Sequence, residues 1–119
     1  MKYSPALLNA SIFCAFSLWL PRAAATVGQA SLLIPADAFN ACGVSIQDSD
    51  MAAAVSTAVF DAGAVCGDTI TVEFGGRSVQ LTVLDESIGI ASAILMTQAA
   101  YTALDASVLR PITVNWAFD

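Results

Sequence analysis

Thr69-Ile70-Thr71-Val72-Glu73-Phe74, Gly75-Gly76 and Arg77-Ser78-Val79-Gln80-Leu81-Thr82-Val83 form the most informative stretch of the chain. Ile70, Val72 and Phe74 alternate with Thr71 and Glu73, and Val79, Leu81 and Val83 alternate with Ser78, Gln80 and Thr82. A period of two is that of a strand with one buried face. Two glycines between such runs suit a two-residue hairpin turn, because both central positions take positive φ. Outward from this hairpin, Ile112-Thr113-Val114-Asn115-Trp116-Ala117-Phe118 alternates in the same way and reads as a last strand, with Trp116 in phase with the buried set. Ala30-Ser31-Leu32-Leu33-Ile34, ended by Pro35, reads as a first strand near an edge. Residues 51–60 are apolar and alanine-rich, and periodicity does not separate helix from strand there. Residues 85–92 read as a loop, and residues 97–104 as about two helical turns with Thr97 as N-cap. A strand-rich barrel with one short helix fits this pattern.

Composition narrows the function. The 119 residues are 57% apolar and 12% charged, which excludes a disordered chain and allows one small domain. Four basic against ten acidic residues give a formal charge of −6, a poor match for nucleic acid, whose phosphates are held by Lys and Arg. There is no histidine, so the usual general base and the commonest zinc ligand are missing. The tip Gln47-Asp48-Ser49-Asp50 reads as a solvated turn. A calcium loop starting at Asp48 would need glycine at its sixth position, where Ala53 stands. No cofactor and no metal are expected.

The first 25 residues read as a secretory signal peptide. Lys2 is followed by an apolar stretch from Ala6 to Leu20, and Ala23 and Ala25 supply the small side chains that the peptidase requires. Cleavage after Ala30, with Gly28 two residues before it, is the alternative. Removal of residues 1–25 leaves about 94 residues with Arg77 and Arg110 against ten carboxylates, a charge near −8, and no lysine. The expected product is extracellular, detached from membrane and monomeric. Cys14 departs with the leader, which leaves Cys42 and Cys66 as an even pair in an oxidising compartment, where a disulfide is the simplest expectation. A loop of that size is worth about 3 kcal/mol through restriction of the unfolded chain.

The ordered set of Ala41-Cys42-Gly43, Asp48-Ser49-Asp50, Cys66-Gly67-Asp68-Thr69-Ile70-Thr71-Val72, Val83-Leu84-Asp85-Glu86, Gln98-Ala99-Ala100-Tyr101 and Val114-Asn115-Trp116-Ala117-Phe118 resembles the six-stranded double-psi β-barrel. More narrowly, it is similar to small secreted fungal proteins of the rare-lipoprotein-A-like, barwin and expansin group. The resemblance covers nearly all of residues 30–119 and implies a polysaccharide-binding groove. In the related hydrolases that groove holds two carboxylates, one to protonate the leaving oxygen and one to activate water or attack. Asp85 falls on the aspartate that ends the fourth strand in that pattern, whereas Leu95 stands where the other, just before the short helix, is expected. Ser31 keeps a hydroxyl on the first strand while Leu32 and Leu33 replace aromatic residues. Ser87 and Ile90 lie near a missing cysteine pair, so the resemblance also implies that Cys42 and Cys66 are bonded to each other.

The resulting expectation is a secreted, non-catalytic module for neutral glucan or chitin, with Asp85, Glu86, Ser31 and Tyr101 as candidate groove residues. The alternative is a protein-interaction module, such as a protease inhibitor or an apoplastic effector, presenting the 36–50 and 85–96 loops. That alternative draws on Leu32, Leu33, Ile94, Leu95 and Met96 as an exposed apolar run.

Overall fold

The computed structural model describes residues 25–35, 40–108 and 110–119. The proposed leader, apart from Ala25, lies outside the described residues, as do residues 36–39 of the first loop. The elements are β1 (Thr26–Leu32), β2 (Ala52–Ser56), α1 (Thr57–Phe60), a 3-10 turn (Asp61–Gly63), β3 (Thr69–Phe74), β4 (Arg77–Ser87), β5 (Ile94–Met96), α2 (Gln98–Ala103) and β6 (Ile112–Phe118). The strands close into a barrel in the order β1-β5-β2-β4-β3-β6. β1 with β5 and β2 with β4 are parallel, and the other neighbours are antiparallel. This is the expected six-stranded double-psi barrel, mainly β, with the expected short helix as α2 and one further turn of helix, α1, after β2; each strand has a neighbour on both sides.

The hairpin forms in the expected register, with Phe74 opposite Arg77 and Val72 opposite Val79. Its turn places Gly75 at φ +59° and Gly76 at +81°, a geometry that a Cβ would oppose. Ile70, Val72, Val79, Leu81, Val83, Val114 and Trp116 fill the interior as their alternation requires. β2 explains why periodicity was silent over residues 51–60. Ala53 and Val55 enter the barrel core, while Ala52 and Ala54 are buried in a second cluster on the outer face. A strand buried on both faces has no alternation to read. The chain then turns into α1, which Ser56 caps by accepting the Val59 N–H at 3.4 Å.

Three local expectations are corrected. The first strand begins at Thr26 rather than Ala30 and is no edge, because it pairs with both β5 and β6. Asp85 and Glu86 lie within β4 rather than in a loop, since β2 pairs alongside and extends that strand to Ser87. Thr97 occupies the N-cap position without capping α2. Its hydroxyl donates to the Asp50 carbonyl at 2.5 Å, and the Ala99 N–H is satisfied by the Asp48 carbonyl at 3.0 Å. The residue–residue tie to the preceding loop thus replaces the local cap.

Tyr101 is also corrected, from a candidate groove residue to a core residue with no solvent exposure. Ala100, Tyr101 and Leu104 form the inner face of the short helix, and the tyrosine hydroxyl donates to the Ala30 carbonyl at 2.8 Å. Burial raises its pKa above the ordinary tyrosine value. The unfolded tyrosine deprotonates near pH ~10 and the folded one only at higher pH, so between them the folded state holds the extra proton. Stability contributed by this group is therefore complete below about pH 10 and lost as pH rises beyond it. Tyr3 departs with the proposed leader, which makes Tyr101 the single tyrosine of residues 26–119. Denaturant titrations across that range are expected to show an alkaline fall in wild type that Tyr101→Phe abolishes, together with a loss of about 1 kcal/mol at neutral pH.

Candidate functional site

Register brings the groove candidates into one row across the outside of the barrel. Ser31 lies opposite Leu95, Leu95 opposite Ala54, and Ala54 opposite Asp85. Paired positions share a sheet face, so these four residues, on β1, β5, β2 and β4, point the same way. The row depends on a bulge. Ala53 pairs with Val83 but Ala54 with Asp85, which leaves Leu84 as the extra residue of β4.

The row is packed with apolar groups. Leu84 and Leu95 rest against the outer cluster of Leu33, Ile46, Ala52 and Ala54. Ile46, delivered by the loop that precedes β2, is 5% exposed. That loop is held down at its start, where the Cys42 N–H donates to the Leu84 carbonyl at 3.3 Å and Cys42 is bonded to Cys66 with their Cα atoms 5.7 Å apart. The expected disulfide thus fastens the cover of the row to the segment leading into β3.

Asp85 is half-buried, and its Oδ1 accepts the Ala41 N–H at 3.0 Å and the Glu86 N–H at 2.9 Å. These bonds explain an acid at this position without a ligand. Ser31 is half-buried, and it stands three strand spacings from Asp85, about 14 Å along the sheet. Glu86 is exposed and, as the next residue of the strand, takes the opposite face. Among the described residues the row holds a single carboxylate, Asp85, with Leu95 between it and Ser31, where glycoside cleavage requires two proton-transfer groups.

The apolar run 94–96 is corrected as well. Ile94 and Met96 are 1% and 0% exposed and belong to the barrel core, while Leu95 packs into the outer cluster. Alternation over three residues divides the run between two buried faces.

What sequence reasoning missed lies at one end of the barrel. Ile88 is fully exposed and Ile90 is 71% exposed, both in the turn between β4 and β5. Behind this turn a cleft of about 320 Å³ is lined by Thr26, Val59, Ala91, Ser92, Trp116 and Phe118, among others. Trp116 is buried as expected, donates from Nε1 to the Ser92 carbonyl at 2.9 Å, and meets Phe118 edge-on at 5.8 Å between centroids. The available signal was two isoleucines in a segment otherwise composed of glycine, serine and alanine.

If Asp85 serves the fold, Asp85→Asn retains an acceptor for both N–H groups and leaves the unfolding midpoint nearly unchanged. Asp85→Ala leaves both exposed N–H groups to water and costs about 1 kcal/mol in the same denaturant titration.

No protein-family profile and no curated protein sequence matches the chain. Solved structures do. A Streptomyces papain inhibitor superposes with a TM-score of 0.69 at 21% identity, covering 82% of this chain and 96% of that one. An expansin from Clavibacter michiganensis superposes with a TM-score of 0.69 at 21% identity, covering 80% of this chain. A mutant of that expansin in complex with cellohexaose gives 0.65 at 18% identity and 81% coverage. This chain spans about half the length of the expansin, 50% in each case. The resemblance to expansin-like and barwin-like barrels holds at the level of the fold.

Proposed function

We propose that residues 26–119 form a secreted, non-catalytic barrel that binds another protein, with a papain-like cysteine protease as the first partner to test. The filled outer row carries this reading. Leu33, Ile46, Leu84 and Leu95 occupy the face beside Asp85, whose Oδ1 is engaged by backbone, and among the described residues the row offers no aromatic platform for a sugar ring. The likeness to a papain inhibitor over nearly its full length supports the partner class. Among the described residues no second acid lies in the row with Leu95, and the sequence has no histidine, which supports a binding role over catalysis.

Secretion rests on the leader pattern of residues 1–25 and on the disulfide. Cleavage after Ala25 keeps all of β1, whereas cleavage after Ala30 would delete the segment of β1 that pairs with β6 from Thr26 to Ala30. Gly28 then owes its small size to the barrel. A Cβ there would lie 1.8 Å from the Ser92 carbonyl oxygen.

Neutral polysaccharide is the second reading, supported by the expansin complex with cellohexaose. The two are separated by adding the secreted, disulfide-bonded chain to papain with a fluorogenic substrate, alongside sedimentation with insoluble cellulose and chitin. Concentration-dependent loss of papain activity with no sedimentation is the expected result. Retention on either polysaccharide with papain unaffected would overturn the protein-binding reading.

A further inference from the structure

Strand directions place both arginines of residues 26–119 at one end of the barrel and divide the described acids between the two ends. β1 and β5 begin, and β2, β4 and β6 finish, at the end that carries the 88–93 turn. The exposed acids at this end are Asp61 after α1, Asp68 before β3, Glu86 near the finish of β4 and Asp119 after β6, while exposed Asp48, Glu73 and Asp105 lie toward the other end, where the arginines stand. Arg77 opens β4 and Arg110 precedes β6, which places both arginines of residues 26–119 at the opposite end. Arg77 and Ser87 are the first and last of the eleven residues of β4, about 33 Å apart at the rise of an extended strand. The α-ammonium created by cleavage after Ala25 would be the one cation among the acids at the turn end.

The same end carries exposed apolar groups. Ile88 and Ile90 project from the turn, and Val27 is 64% exposed beside Gly28, which abuts the Ser92 carbonyl. The cleft of Thr26, Val59, Trp116 and Phe118 adjoins the turn through Ala91 and Ser92, which also line it. Isolated exposed hydrophobes are ordinary, but two on one turn beside an aromatic cleft make a contact surface. Depletion of positive charge around it selects the sign of what binds.

From this juxtaposition we infer that the Ile88–Ile90 turn and the Trp116–Phe118 cleft form one docking surface, whose occupant is a protein segment with an apolar side chain flanked by basic residues. The inference rests on the protein-binding reading and names its surface. Apolar contact supplies the affinity, and the acidic surround steers the encounter and weakens with salt.

Trp19 departs with the proposed leader, so Trp116 is the single tryptophan of residues 26–119 and its fluorescence reports on the cleft. The probes are three short peptides, one alternating arginine with leucine, one with glutamate in place of arginine, and one with serine in place of leucine. A saturable change is expected with the arginine–leucine peptide, at least tenfold weaker for the other two, and at least tenfold weaker for Ile88→Ser/Ile90→Ser. Ile34→Ser, at an exposed position beyond the other end of β1, serves as the control and is expected to bind as wild type does. Equal responses to the three peptides, no response to any, or an unaltered response in the double variant would overturn the docking surface. Papain titration of the same variants keeps the two ideas apart. Inhibition that survives Ile88→Ser/Ile90→Ser retains the protein-binding reading and sinks this surface, whereas peptide binding at Trp116 without papain inhibition retains the surface and removes the protease.

Discussion

The carbonyl oxygen of Ser92 joins the barrel to its exposed turn. It accepts the Trp116 indole N–H at 2.9 Å, and it approaches β1 so closely that only glycine fits at position 28. β1 and β6, which pair from Thr26 with Trp116 to Ala30 with Ile112, close the barrel beside it. A single contact therefore satisfies the polar handle of a buried tryptophan, sets the distance between the turn and β1, and fixes a turn whose isoleucines gain nothing from the core. Tyr101 holds the same strand from inside, through the Ala30 carbonyl.

Much of the fold was legible because three strands are buried on one face. Ile70, Val72, Val79, Leu81, Ile112 and Val114 alternate with polar neighbours, and the Gly75-Gly76 turn sets their register. Legibility failed where burial was two-sided or the element short. Ala52–Ser56 is buried throughout, and Ile94–Met96 is too short for a period to emerge. β1 was read late because Gly28 gives no hydrophobic signal, although closure of the barrel requires that position to be small. Thr97 and Tyr101 were assigned by local rules and claimed by tertiary partners, Asp50 and Ala30. For the site, resemblance singled out Ser31, Asp85 and Leu95, but their alignment in one row follows from the bulge at Leu84, which sequence does not announce.

One scaffold thus carries two unlike surfaces. Beside Asp85 the outer face is covered by a loop clamped through Cys42–Cys66, and the Asp85 carboxylate serves backbone donors. At the end of the barrel the charge is acidic and apolar groups stand free of the core. Solvation favours covering such groups and already satisfies a packed row. Proteins sharing a barrel can therefore differ in ligand class through a few outward positions while the interior alternation is retained.

The most direct measurement is an amide chemical-shift titration of the isotopically labelled, disulfide-bonded chain with cellohexaose. A filled row predicts no saturable shift at Ser31, Leu95 or Asp85. Saturable shifts along those three residues would contradict it and return the outer face to a sugar-binding groove.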